Sequence, residues 1–244
     1  MRKKYIIGNW KMNVPDIETF ARGLDKPPDS VTVAVGVPFP HLALAIRAFA
    51  PLNIAVGAQN LHEEDGGAYT GEVSGAMLYA LGAQYVIVGH SERRAYNSES
   101  DMTVNRKTTA ALRNDLRPII CVGETAEQRQ GGETERVITR QVFAALKGAS
   151  PEALSRILIA YEPIWAIGTH RAASPQDAEA ICRLIKTLAP NVPVLYGGSV
   201  SAQNAAELFA QPDIDGGLIG SASLDAGAFS KIINIAASQA AATI

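Results

Sequence analysis

Eight short apolar runs, each followed by a helical pattern, constrain this chain more than any other feature. They begin near Tyr5, Val31, Asn53, Tyr85, Pro118, Ile157, Val192 and Asp215. The runs are almost continuously apolar instead of alternating with polar residues. Parallel strands covered on both faces read this way, because neither face meets water. Between the runs, apolar residues return every three or four positions. Ile17, Phe20, Ala21 and Leu24 form one stripe, Leu42, Ala45, Ile46 and Phe49 the next. Ala178, Ile181, Cys182, Ile185 and Leu188 form the clearest, a helix with one apolar face. Eight strand–helix units without an interrupting linker predict an α/β fold: a closed (β/α)8 barrel spanning residues 1–244 as one domain. A length of 244 residues suits such a barrel. A doubly wound open sheet is the alternative. The count of eight and the lack of a GxGxxG turn after the first strand weigh against it.

Helix ends carry their own signals. Ser174-Pro175-Gln176-Asp177 offers a capping hydroxyl, a proline at the first helical position and an acid in the first turn. Thr125 and Gln128 have capping-box spacing, and Gly148 stands where a helix ending near Lys147 should stop.

Charge excludes some partners. Lys plus Arg number 22 against 24 Asp plus Glu, a formal net charge of -2, and no basic block stands out. Nucleic acid and membrane surfaces are therefore not expected partners, and an anionic ligand would need a local positive site. No apolar stretch approaches the roughly 20 residues of a membrane span. The first nine residues are basic, then apolar, but Asn9-Trp10-Lys11 ends the run too early for a leader, so a cytoplasmic location is expected. Cys121 and Cys182 lack metal or redox spacing and read as buried free thiols. No metal site is expected.

Three groups directly follow apolar runs, Asn9-Trp10-Lys11, His90-Ser91-Glu92 and Glu162-Pro163-Ile164-Trp165, and they carry the reactive side chains Lys11, His90 and Glu162. In a closed parallel barrel the carboxyl ends of the strands converge on one face, so these three can meet around one small ligand. Pro163 biases Glu162 towards extended backbone and fixes a carboxylate at a strand end. His90 precedes a turn into a helix. The helix end disfavours the imidazolium, so a neutral, donating imidazole is expected. Lys11 could hold a phosphate and stabilise an oxyanion, with the Asn9 amide beside it. Glu92 and Arg94 read as partners that hold other side chains.

Two glycine-rich turns, Tyr196-Gly197-Gly198-Ser199-Val200 and Gly216-Gly217-Leu218-Ile219-Gly220-Ser221-Ala222, close the last two strands. Glycine lets backbone amides approach an anion, and barrels often bind phosphate after strands seven and eight. Residues Pro163 to Ala172 form a loop with an apolar tip, which reads as a lid, with Gly168 able to offer its N–H to a phosphate.

Together these segments resemble the triosephosphate isomerase family over the whole chain. The resemblance runs through Asn9-Trp10-Lys11-Met12-Asn13, Gly57-Ala58-Gln59-Asn60, Gly71-Glu72-Val73-Ser74, the His90-Ser91-Glu92-Arg93-Arg94 segment, Glu162-Pro163-Ile164-Trp165 and the Gly197-Gly198-Ser199 turn. It implies a TIM barrel and a cofactor-independent isomerase that interconverts dihydroxyacetone phosphate and glyceraldehyde 3-phosphate through an enediolate, in glycolysis and gluconeogenesis. By resemblance Glu162 is the general base and His90 the neutral electrophile. Asn9 and Lys11 contact substrate, and Gly168, Ser199, Gly220 and Ser221 surround its phosphate.

The chain departs from the family pattern at a few positions. Ser221 stands for a glycine, His170-Arg171 for a Gly-Lys pair after the lid, and Gly75 for a proline that would firm a helix start. The lid and Ser221 changes leave a related four-carbon ketose phosphate as the alternative substrate. The segment from Asn60 to Glu72 resembles a loop that joins two copies into a homodimer, with Thr70 directed towards the partner's Asn9, Lys11 and Glu99.

Overall fold

The computed structural model describes residues 3–166 and 173–242. Eight strands run in parallel: β1 (Lys4–Asn9), β2 (Val31–Val37), β3 (Ala55–Ala58), β4 (Tyr85–Val88), β5 (Arg117–Val122), β6 (Leu158–Tyr161), β7 (Val194–Tyr196) and β8 (Gly216–Ile219). Each pairs with the next, and β8 pairs with β1, closing the barrel. The helices are α1 (Ile17–Arg22), α2 (Leu42–Phe49), α3 (Gly75–Leu81), α4 (Ser91–Tyr96), α5 (Asp101–Arg113), α6 (Ala126–Gln130), α7 (Thr134–Leu146), α8 (Pro151–Leu154), α9 (Pro175–Leu188), α10 (Ala205–Phe209) and α11 (Ala226–Ala242). Among the described residues no helix is long and apolar enough to cross a membrane.

The two-residue period of a strand splits the interior in two. Ile7, Ala34, Ile87, Ile119, Cys121, Leu158, Ala160, Leu195 and Leu218 fill the inside of the barrel. Their neighbours Ile6, Val33, Val86, Ile120, Ile159 and Val194 point outward and pack with buried residues of the helices. From the anticipated stripes, Ile17, Phe20 and Ala21, then Leu42, Ala45 and Phe49, then Ala178, Cys182 and Ile185 are buried. The same period decides what stands at the mouth. Following Ile7 by two gives Asn9, and following Leu158 and Ala160 by two gives Glu162.

The helix ends follow local chemistry. The Ser174 hydroxyl accepts the Asp177 N–H at 3.0 Å, and Thr125 and Gln128 form a reciprocal capping box. Gly148 takes the left-handed φ of +83° that a helix stop there needs. Gly75 has a use that the sequence did not reveal. Ser74 caps α3 by accepting the Met77 N–H, and a Cβ on Gly75 would lie 2.8 Å from the Asn114 amide nitrogen. The missing side chain is the space Asn114 occupies while donating to Asp65 at 2.6 Å.

Strands β3 and β7 start later than their apolar runs. Asn53 takes a left-handed φ of +55°, which ends a 3-10 turn before β3 begins. At β7, the Val192 N–H still closes a turn onto the Ala189 carbonyl.

Candidate active site

Lys11 sits on a strained turn. Its φ is +52°, a conformation that costs a non-glycine residue energy and persists only when neighbours enforce it. Several do. Trp10 is fully buried, donates its ring N–H to the Ser223 carbonyl at 2.8 Å and packs edge-on against Phe20 at 5.2 Å. The Asn9 side-chain oxygen accepts the Lys11 N–H at 3.0 Å, and Gln59 donates to the Lys11 carbonyl at 2.9 Å. The Lys11 ammonium reaches the Glu92 carboxylate at 2.6 Å.

His90 is the residue before α4. Its Nδ1 accepts the Glu92 N–H at 3.3 Å, and its Nε2 lies 2.9 Å from Glu162 Oε1. Glu162 is 2% exposed, and its second oxygen accepts the Ser91 N–H at 2.8 Å. Glycines on both sides make room for it. A Cβ on Gly123 would overlap the Glu162 carbonyl, and one on Gly197 would come within 3.0 Å of its Cγ.

Glu162 adds an influence on His90 that the sequence expectation did not include. Burial pulls its pKa down, but the Glu162 carboxylate outweighs burial and the net direction is up. For Glu162, burial raises the pKa, and the imidazole with the Ser91 N–H brings it below the ordinary value. The helix end does aim an N–H at the ring, as anticipated, and that bond requires an unprotonated Nδ1. The two influences oppose each other. The carboxylate at 2.9 Å raises the pKa, while the Glu92 N–H on Nδ1 suits a ring that donates to Glu162 from Nε2. The expectation of a neutral ring weighed the helix end without Glu162, which lies 72 positions further along the chain.

One cavity of about 560 Å³ at the barrel mouth is lined by Asn9, Lys11, His90 and Glu162, together with Ser199, Gly220 and Ser221. The two halves of the site, side chains and glycine turns, thus open onto the same space. Ser199 donates its hydroxyl to the Ala166 carbonyl at 3.2 Å. Ser221 is not among the residues with positive φ, so serine replaces glycine there without strain. Gly168 and His170-Arg171 lie outside the described residues.

Several neighbours of the site were not assigned to it from the sequence. Asn204 also lines the cavity and braces the first glycine turn, donating to the Ser199 carbonyl at 3.0 Å and accepting the Ser201 N–H at 2.8 Å. Its signal was only local, an Asn just before a short helix. The Cys121 thiol lies against Glu162 inside the barrel, a place that β5 alternation with Ile119 could have indicated. Glu124 is fully buried and accepts from the Tyr161 hydroxyl at 3.1 Å and the Trp165 ring N–H at 2.9 Å. No spacing in the chain pointed to it.

The triosephosphate isomerase family model matches residues 4–236. The chain is 49% identical to a triosephosphate isomerase of Moorella thermoacetica, covering 96% of this chain and 99% of that protein. It is 48% identical to one from Thiobacillus denitrificans, over 97% of this chain and 100% of that protein. A Synechococcus triosephosphate isomerase is 49% identical over 97% and 98% of the two chains. The chain belongs to the triosephosphate isomerase family.

Proposed function

We propose that this member of the triosephosphate isomerase family interconverts dihydroxyacetone phosphate and D-glyceraldehyde 3-phosphate, as a step of glycolysis and gluconeogenesis in the cytoplasm. The observation that carries the reading is the single cavity that holds a buried carboxylate, an imidazole, an ammonium and two glycine-rich turns. Triosephosphate isomerases are themselves the standard instance of a carboxylate base paired with an imidazole electrophile.

In this reading the backbone amides near Ser199, Gly220 and Ser221, with Gly168, hold the phosphate. Glu162 first leaves the Ser91 N–H and the His90 ring. It then takes a proton from the carbon next to the carbonyl, and as an acid returns it to the neighbouring carbon. Lys11 and His90 stabilise the oxygens of the enediolate between the two steps. Once a neutral substrate oxygen replaces the Glu162 carboxylate at Nε2, the main cause of the raised His90 pKa is gone. Burial and the Glu92 N–H on Nδ1 then favour the neutral donor.

The same reading makes the protein a homodimer through the Asn60 to Glu72 loop. A second groove of about 490 Å³ adjoins the mouth, lined by Met12, Phe39, Asn60 and Tyr96 among others. Met12 is 96% exposed and Tyr96 82%, which isolated apolar side chains tolerate and a partner loop would cover. The loop is held in shape by Arg113 on Asp65 at 2.8 Å and Arg106 on Glu63 at 2.6 Å. Thr70 on it would reach the partner's mouth.

A coupled assay with glyceraldehyde 3-phosphate, beside a four-carbon ketose phosphate, tests the activity. Rapid turnover of the three-carbon substrate alone is expected. Preference for the larger one would replace this substrate with the four-carbon alternative. Sedimentation tests the assembly, and a stable, fully active monomer would refute it.

A further inference from the structure

Arg94 lies one turn into α4, with its side chain 15% exposed. Its guanidinium serves three groups on three elements. Nε donates to the Gly89 carbonyl at 2.8 Å, and Nη2 donates to the Cys121 carbonyl at 3.3 Å. Nη1 meets Asp101 Oδ1 at 2.7 Å, and the other Asp101 oxygen is held by Arg140 at 2.9 Å. Gly89 is the residue before His90, and Cys121 is the residue whose thiol lies against Glu162. The surroundings leave little slack. Gly89 has φ +69°, and a Cβ there would come within 2.7 Å of Val104 and 3.2 Å of Arg94 Nη2.

We propose that Arg94 is a positioning residue that sets the separation of His90 and Glu162, by tying the carbonyl before His90 to the carbonyl of the residue packed on Glu162. A guanidinium suits this task because its donors form a rigid planar fork. A lysine ammonium is a point charge and cannot hold three acceptors in one plane. Asp101, fixed by Arg140, sets the orientation of the fork. The effect on rate rests on the isomerase reading, whereas the effect on the His90–Glu162 pair does not.

The test uses Arg94→Lys and Asp101→Asn, both measured well below their melting temperatures. In Arg94→Lys, kcat is expected to fall about 10- to 100-fold with KM within about threefold, because small misplacements of reacting groups are costly. Asp101→Asn keeps both carbonyl bonds and should lose about threefold in kcat by the same reasoning. Nitrogen NMR of the His90 ring gives a readout that needs no turnover. The charged groups facing that ring are Glu162 after β6, Glu92 on α4 and Lys11 after β1. If Glu162 recedes, the His90 midpoint in Arg94→Lys should move down by about half a pH unit or more. Wild-type kcat and an unmoved His90 titration, with only a lower melting temperature, would make Arg94 purely structural and overturn the proposal. A raised KM with unchanged kcat would overturn it too. If Arg94→Lys fails to fold, wild-type kcat and His90 titration in Asp101→Asn would count against it. An inactive wild type would remove the isomerase reading, yet the NMR comparison would still decide the role of Arg94.

Discussion

The two sides of the barrel mouth are built from different materials. On one side, β1, β4 and β6 deliver Lys11, His90 and Glu162, charged or chargeable side chains held in pairs, Lys11 on Glu92 at 2.6 Å and His90 on Glu162 at 2.9 Å. On the other, the turns after β7 and β8 offer backbone amides and hydroxyls with no formal charge. The first side is costly to build. It needs a positive φ at Lys11, a buried carboxylate and glycines at positions 123 and 197. The second side is cheap in charge but depends on close backbone approach. Groups that must change protonation belong on side chains whose surroundings can shift their pKa. Groups that only hold an anion can be amides, whose dipoles need no counterion. Substitutions on the first side should therefore strike kcat, and those on the second should strike KM.

Glu162→Gln should be the most severe. It keeps the shape and removes the base, so kcat should fall by about a thousandfold or more, near the upper range for one acid–base group. Binding of glycerol 3-phosphate, measured by calorimetry, should stay within a few-fold. Undiminished turnover would refute the base assignment and erase the contrast. Lys11→Ala should damage both kcat and affinity, with kcat/KM down by about a hundredfold or more in steady-state assays, as for loss of one oxyanion donor. An effect confined to KM would move Lys11 to the anion-holding side.

Gly198→Ala tests the other side. Its Cβ would collide with the Tyr196 hydroxyl, which also accepts the Ala173 N–H. The expected result is about a tenfold rise in KM and about 1–3 kcal/mol of lost stability by denaturant unfolding, the usual range for overpacking. A loss of kcat at constant KM would show that the turn serves chemistry as well as grip.

The paired side should also carry a pH signature that the other lacks. Glu162 is held below its ordinary pKa, so its stabilising contribution is present above about pH 4.3 and is lost as pH falls through the lowered value. His90 is held above its ordinary value. Its contribution is complete below about pH 6.5 and is lost as pH rises through the raised value. Melting temperatures should therefore peak between these limits for this pair, and the Glu162→Gln variant should flatten that part of the profile. An unchanged profile would mean the pair is not ionised at rest. The smallest effect is expected from Ser221→Gly. Ser221 is exposed and unstrained, so KM should change by about two- to threefold, the scale of one exposed hydrogen bond.

The barrel was legible because its signals are repeated and local. Each apolar run, stripe and cap is decided by near neighbours in the chain. Gly75 shows the limit of that reading: as a local signal it promised a looser helix start, yet its use is the space it leaves for Asn114. Lys11, His90 and Glu162 could be named because each lies at or just past the end of an apolar run and the strand ends of a parallel barrel must gather on one face. Asn204 and Glu124 carried no such mark.

The sequence by itself determined eight strands, the helices between them, and which residue types stand at the mouth, since side-chain direction follows from a period of two or of 3.6. Tertiary structure alone decided what those residues do to one another. The direction of the His90 pKa depends on a carboxylate just after β6, the Lys11 conformation on Gln59 and Trp10, and the Arg94 fork on carbonyls just after β4 and in β5. Electrostatic and hydrogen-bond energies depend steeply on distances of a few ångströms. Only closure of the barrel sets those distances between residues far apart in the chain.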